Sequence, residues 1–280
     1  MIDFFYSSIR KPIQKKILIF ENKNMHFINT HSHVYSQQFN SDRDIVIKRA
    51  IQAGISHILL PDIDAENRPL LDSVAAKYPN YCIPMLGVHP TSVSENYKQE
   101  LDAFDAAIQK KQICAIGEIG LDLYWDTTYY EQQKIVCSHQ IHAAYERKLP
   151  IVIHVRKAFP HIFELLESLP YSKYNGVFHC FSGSIKDAYK AIEMGFLLGI
   201  GGVLTYKKSG LAELVREFGL EHIILETDDP WLPPVPFRGK RNEPAYLIHI
   251  ADCLANTLDC SLEDVANVTS KNARNLFQLQ

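Results

Sequence analysis

Several features are scarce or missing in this 280-residue sequence, and each gap narrows what the protein can be. No apolar run reaches the ~18 residues that a membrane-spanning helix needs, so no membrane partner is expected. Positive charge is not in excess: 29 Lys and Arg face 32 Asp and Glu, for a formal net charge of -3. That excludes a protein that coats nucleic acid through bulk charge, though not an enzyme that grips it through local charge. None of the six cysteines forms a C-x-x-C pair, and Cys114 and Cys180 sit inside apolar runs, as buried free thiols do. We expect a reducing, cytoplasmic setting and no disulfide framework. No long linker or low-complexity segment divides the chain. Hydrophobic residues at 46% and charged residues at 22% suit a globular chain able to bury a large core without staples.

The first residues stand apart. Arg10, Lys11, Lys15 and Lys16 precede the short run Ile17-Leu18-Ile19-Phe20. A signal peptide would carry a longer apolar core and a small-residue cleavage site. Residues 1–25 therefore read as an extension of unknown role, with Met25 an alternative start, and residues 26–280 as a single domain.

What the sequence does have is alternation. Short apolar runs lie at Phe27-Ile28, His57 to Leu60, Ile83 to Val88, Ile113 to Ile116, Ile151 to Ile153, Val177-Phe178, Phe196 to Ile200 and Ile223 to Leu225. Each has the length of a buried parallel strand. Amphipathic stretches separate them, among them Asp44 to Ala53, Tyr97 to Lys110, Tyr129 to Arg147 and Ile185 to Met194. In the third of these, Ile135, His139, His142 and Tyr145 would share parts of one helical face. The tail from Pro244 reads as two closing helices. Eight strands alternating with helices predict an α/β fold of the (β/α)8 TIM-barrel type, with a doubly wound open sheet as the structural alternative.

In such a barrel the chemistry gathers where the strands end. Run one ends in His31-Ser32-His33, run three in Gly87-Val88-His89-Pro90, and run four in Gly117-Glu118. Run five ends in His154, run six in His179, and run eight in Glu226-Thr227-Asp228. Residues two apart on a strand face one side, so His31 and His33 can offer two imidazoles to one ion. An H-x-H pair is weak evidence by itself, and single histidines after a strand are commonly hydrogen-bonded core residues. Repetition is what gives the pattern force. Glu118 lies between apolar Ile116 and Ile119, where a carboxylate is costly unless it is paired or bound to a cation. It can bridge two metals or pair with an arginine. Asp228 can bind metal and take a proton from attacking water, or cap a turn.

The ordered series His31-Ser-His33, Gly87-Val-His-Pro90, Gly117-Glu-Ile-Gly-Leu-Asp122, Pro150-Ile-Val-Ile-His154, His179-Cys-Phe-Ser-Gly183, Leu225-Glu-Thr-Asp228 and Arg241-Asn-Glu-Pro244 closely resembles the TatD family of metal-dependent deoxyribonucleases. The likeness runs from about Phe27 to the C-terminus. It implies a TIM barrel of the metallo-dependent hydrolase type that cleaves phosphodiester bonds in DNA with two divalent ions, Mg2+, Mn2+ or Zn2+. It implies that His31, His33, Glu118 and Asp228 hold one ion, and that Glu118, His154 and His179 hold the other. Asp228 would also activate water, and His89 would lie near the substrate phosphate. Related barrels bridge their metals with a carbamylated lysine on the fourth strand; Glu118 in that place favours the phosphodiesterase branch. One departure stands out. The family usually has Asp two residues before the first histidine, where this chain has Asn29, so altered hydrogen bonding behind the metal is expected rather than metal loss.

Basic and aromatic residues fall in loops expected on the same face. Arg156, Lys157, Lys207, Lys208, Arg238, Lys240 and Arg241 could grip phosphates while Tyr206, Trp231 or Phe237 stacks a base. A recessed site at a barrel end admits a strand terminus more readily than a continuous duplex. The expected activity is therefore a 3'-5' exodeoxyribonuclease on single-stranded DNA, with a monomer favoured. The competing readings are a barrel hydrolase of a small amide, lactone or phosphoester, and a non-catalytic binding component.

Overall fold

In the computed structural model, residues 25–279 are described, so the extension assigned to residues 1–25 lies outside them except for Met25. Eight parallel strands alternate with helices: β1 (Phe27–Asn29), α1 (Arg43–Gln52), β2 (Ile55–Leu60), α2 (Arg68–Lys77), β3 (Cys82–Pro84), α3 (Tyr97–Ile108), β4 (Ile116–Asp122), α4 (Tyr130–Arg147), β5 (Ile151–Arg156), α5 (Phe159–Ser168), β6 (Gly176–Phe178), α6 (Ile185–Glu193), β7 (Phe196–Ile200), α7 (Leu211–Phe218) and β8 (Ile223–Leu225). Two further helices, α8 (Leu247–Leu258) and α9 (Leu262–Phe277), follow as the sequence predicts. None of the described helices is long and apolar enough to cross a membrane.

The strands pair in the order β1-β2-β3 and β4-β5-β6-β7-β8. Backbone bonds join the two groups at both seams. The Leu86 N–H donates to the Ala115 carbonyl at 3.2 Å and the Gly117 N–H to the Leu86 carbonyl at 2.9 Å. The Thr30 N–H reaches the Leu225 carbonyl, and the Asp228 N–H the His31 carbonyl, both at 3.0 Å. The sheet thus closes on itself, and the open-sheet alternative is excluded. Closure leaves no unpaired edge.

One apolar side chain from each strand, or from the residue adjoining it, meets in a layer: Ile28, Leu59, Met85, Ala115, Val152, Val177, Leu197 and Ile224. Ala273, Leu276 and Phe277 of α9 plug that layer from below. Period-two alternation then places His154 above Val152, His179 above Val177 and Glu226 above Ile224, while Asp228 lies past the end of β8 with a left-handed backbone at φ 54°. The same rule that buries the lower layer therefore lifts the polar side chains to the upper rim.

One expectation is corrected. Glu118 does not follow the fourth strand; it lies within it, because β4 begins at Ile116 and continues to Asp122, all of it buried. Its ladder to β5 shifts register between Ile116 and Ile119, which lets Glu118, Gly120 and Asp122 share the site face. A Cβ at Gly120 would collide with the His154 carbonyl, so only glycine permits this close approach. In α4 the residues expected to share one face do so, on the outer side. Ile135 and Tyr145 face solvent, at 50% and 59% exposure, while Gln133, Val136, Cys137, Gln140, Ile141 and Ala144 form the buried face. The two buried glutamines replace missing strand neighbours. Gln133 accepts from the Asp122 N–H at 3.0 Å and donates to its carbonyl at 3.2 Å. Gln140 does the same for Val88, at 2.7 and 3.2 Å.

Candidate metal centre

Glu118 stands in the middle of the rim with its two oxygens facing different partners. Oε2 lies 3.1 Å from His31 Nε2 and 3.6 Å from His33 Nε2. Oε1 lies 2.8 Å from His154 Nδ1, 2.8 Å from His179 Nε2 and 3.2 Å from His89 Nε2. Asp228 Oδ1 approaches the first pair, 3.9 Å from His31 Nε2 and 3.7 Å from His33 Nε2. The His31 and His179 rings stack between the two groups with centroids 3.8 Å apart. The strands thus bring together all six residues that the sequence named as metal ligands.

The hydrogen bonds behind the imidazoles fix which nitrogens carry protons. The Tyr35 hydroxyl donates to the Pro61 carbonyl at 2.7 Å, so toward His33 Nδ1, 3.0 Å away, it can only accept. His33 is therefore protonated on Nδ1 and points a lone pair from Nε2 at the cluster. His154 Nε2 lies 3.0 Å from Asp122 Oδ2, which directs its other nitrogen toward Glu118. His89 is opposite in sense. Its Nδ1 accepts the Thr91 N–H at 3.1 Å, so in the neutral ring Nε2 carries the proton and donates toward Glu118. His31 and His33 Nε2 lie 3.1 Å apart and share a carboxylate oxygen. Buried lone pairs converging with carboxylates repel one another unless a cation lies between them. Three groups of donor atoms have this compactness: His31, His33 and Glu118; His31, His179 and Asp228; and His89, Glu118 and His154. The donor set fits divalent metal, and the tautomer of His89 sets that residue apart as a proton donor.

The electrostatics agree. Burial, and then the neighbouring His179, lower the His31 pKa, while burial and His31 hold His33 well below its ordinary value. Burial alone would raise Glu118, but His179, His89 and His31 outweigh it and keep the carboxylate ionised. Burial would likewise lower His154, and its bonds to Asp122 and Glu118 raise it instead. Burial pushes Asp228 up to about 8, beyond what His179 offsets. A bound cation would reverse that shift by favouring the carboxylate.

Several supporting residues escaped the sequence reading. Asp122 orients His154 and also accepts the Tyr124 N–H at 2.9 Å. Glu226 is buried, with Oε1 3.4 Å from His179 Nδ1 and 2.5 Å from the Cys180 N. Spacing held the clue to both: Asp122 is four residues beyond Glu118 on one strand, and Glu226 two before Asp228. Asn29 forms no hydrogen bond to an imidazole and reaches His31 only at its backbone N–H, 3.4 Å from Asn29 Oδ1. Its side chain accepts the Thr227 N–H at 3.0 Å and donates to Thr227 Oγ1 at 2.7 Å, tying β1 to β8. Thr227 Oγ1 in turn donates to Asp229 Oδ1, and Ser32 Oγ to Asp229 Oδ2 at 3.0 Å.

The basic residues separate. Arg156 and Lys207 are exposed at the rim. Arg238 covers the Tyr206 ring at 4.0 Å. Arg241 is engaged within the protein, with bonds of 2.9 and 2.7 Å to Asp42 and one of 2.7 Å to the Gln38 carbonyl. Its guanidinium also lies over Phe39, so it holds the final loop against α1 rather than standing free for phosphate. Phe237 is stacked on Tyr246 with centroids 3.9 Å apart, which removes one of its faces from any base.

Comparison with known proteins places this geometry. A family model described as TatD related DNase matches residues 28–278. The uncharacterized metal-dependent hydrolase YabD of Bacillus subtilis is 32% identical over 252 residues, covering 90% of this chain and 98% of its own. The 3'-5' ssDNA/RNA exonuclease TatD of Erwinia tasmaniensis is 35% identical over 251 residues, covering 87% and 96%. The crystal structure of YjjV, a TatD homolog from Escherichia coli, superposes with a TM-score of 0.83 at 29% identity, covering 91% and 98%. The chain is a TIM-barrel hydrolase and belongs to the TatD-related DNase family.

Proposed function

We propose that this protein hydrolyses phosphodiester bonds in single-stranded DNA from the 3' end, using two divalent ions. The observation that carries the reading is the division of Glu118, whose two oxygens serve two separate groups of imidazoles. His31, His33, Glu118 and Asp228 would hold one ion, and Glu118, His154 and His179 the other. When bound, Mg2+, Mn2+ or Zn2+ supplies Lewis acidity toward phosphoryl oxygens and makes water acidic enough to attack at neutral pH. The chain's own groups do the rest. His31 is fully covered, whereas the side chains of Asp228, His154 and His89 keep 14%, 17% and 13% exposure, so phosphate and water approach along that side. Asp228 accepts the proton of the attacking water. The Nε2–H of His89 donates to a phosphate oxygen as charge develops there. Arg156 and, farther out, Lys207 and Arg238 attract the neighbouring phosphates. The relatives named as ssDNA/RNA exonucleases support the substrate class.

Labelled linear oligonucleotides, incubated with each metal and with Asp228→Asn as control, test the proposal. Stepwise loss from the 3' end is expected, abolished by the substitution. Equal cleavage of linear and closed circular single strands would remove the exonuclease reading. RNA oligonucleotides in the same assay decide the sugar preference.

A further inference from the structure

The donor cluster has an aromatic neighbour that its chemistry does not require. Trp125 is 69% exposed and Tyr124 50% exposed, just beyond β4. Leaving an indole in water forgoes the burial that usually places tryptophan inside. The two rings meet edge to face at 4.9 Å. The Arg156 guanidinium lies 3.8 Å from the Tyr124 ring centroid and 5.1 Å from that of Trp125. Asp122, the residue opposite Arg156 in the strand register, forms no pair with it. One Asp122 oxygen serves His154, and the other accepts the N–H groups of Tyr124 at 2.9 Å and Trp125 at 3.3 Å. A single carboxylate thus positions both an imidazole of the metal cluster and the backbone that carries the two rings. The Leu123 N–H bonded to the Arg156 carbonyl at 2.9 Å locks the arginine strand to the aromatic loop.

The other aromatic candidates at the rim are less available. Tyr206 lies under Arg238 and its hydroxyl is tied to the Pro233 carbonyl at 2.9 Å. Trp231, 46% exposed, is engaged edge to face with the His33 ring, with centroids 5.1 Å apart. Flat, exposed rings beside a cation, one carboxylate away from the reacting centre, match the chemistry of an unpaired nucleobase and its phosphate.

We propose that Trp125, braced by Tyr124 and Arg156, is a stacking site for an unpaired base of the strand being cut, with Arg156 on the adjoining phosphate. This rests on the nuclease reading above. A base held in a duplex stack cannot lie on the indole, so the platform selects single strands by requiring an unstacked base. Stacking is tolerant of sequence, so the site places bases without reading them.

The test is equilibrium binding of 5'-fluorescein-labelled hexathymidylate, followed by anisotropy with chelator present so that no bond is cut. Trp125→Ala is expected to weaken binding about tenfold, and Trp125→Phe to restore most of it. An oligonucleotide with abasic residues near its 3' end should bind wild type as weakly as Trp125→Ala binds the intact one, with no further loss when the two changes are combined. With metal supplied, the Trp125→Ala defect should fall mainly on KM. Trp125→Ala that binds the intact strand as tightly as wild type, while wild type remains an active nuclease, overturns the platform and leaves the nuclease reading standing. If wild type neither binds nor cleaves nucleic acid, the nuclease reading falls and the platform falls with it.

Discussion

The two ends of the barrel interior are built on one strand periodicity and obey opposite rules. At the base, Ile28, Leu59, Met85, Val152, Val177 and Ile224 fill the space and α9 closes it. At the rim, two residues farther along several of the same strands, His154, His179 and Glu226 occupy equivalent inward positions, and Asp228 follows two residues after Glu226. The base is held by the removal of apolar surface from water. The rim pushes ionisable groups together at a desolvation cost that only pairing or a cation offsets. Stability resides below and function above, a division that families of this barrel share in general.

Substitutions can break that division, beginning with the largest effect. Glu118→Gln removes the anion to which both imidazole groups turn. Activity should fall by about 10³-fold or more, because the proposed two-ion site would stabilise charge by several kcal/mol, while the thermal transition stays cooperative. A variant retaining more than a tenth of the wild-type rate would refute the bridging role.

Next comes the ion pair at the edge of the rim. Arg68 and Asp62 are both buried, with Arg68 Nε 2.7 Å from Asp62 Oδ2. Arg68→Met should destabilise by about 3–5 kcal/mol at pH 8, since it leaves a buried carboxylate unpaired. Burial already raises Asp62 to about 6, with Arg68 pulling it down. For an acid raised on folding, the unfolded chain loses its proton first, so stability declines as pH climbs from the unfolded value toward the folded one. The deficit of Arg68→Met should therefore shrink at pH 5, where Asp62 can fold protonated. Denaturant titrations at the two pH values that give equal deficits would contradict this.

In the base, Ile224→Ala should cost about 2–5 kcal/mol through lost burial and a residual cavity. Turnover per folded molecule should stay within a few-fold of wild type, and a large kcat change would show that base and rim are not separable.

The smallest expected effect is at Asn29. Asn29→Asp installs the residue usual in the family, yet here the amide donates to a Thr227 hydroxyl that itself donates to Asp229. The new carboxylate would have to compete for that one proton, and we expect a loss of about 1–3 kcal/mol. Metal titration should show a modest change in affinity, because the network reaches His31 only through the backbone. An unchanged melting temperature would show that Thr227 and Asp229 reorganise freely.

Much of this was legible in the sequence. Buried parallel strands are written as short apolar runs, and histidines that end such runs are conspicuous, so His31, His33, His154 and His179 stood out. Asp122 and Glu226 did not, because each acts through a residue distant in sequence, His154 for Asp122 and His179 for Glu226, and each resembles an ordinary strand-end carboxylate. The buried face of α4 was not legible for a related reason. Gln133 and Gln140 look like solvent-facing residues until the backbone groups of Asp122 and Val88 are seen to need them. The sequence also marked Arg241 as a free cation, since charge shows in composition while the Asp42 that satisfies it is 199 positions distant.

By itself, then, the sequence determined the alternation of strand and helix and the inventory of side chains able to bind metal, because hydropathy and period-two patterning are local properties of a chain. The tertiary structure decided how the Glu118 oxygens are divided, which nitrogen of His33 and His89 holds a proton, and which rim cations remain available. Those outcomes depend on hydrogen-bond satisfaction and charge pairing across the barrel, where distances are fixed by strand closure and not by neighbours in sequence.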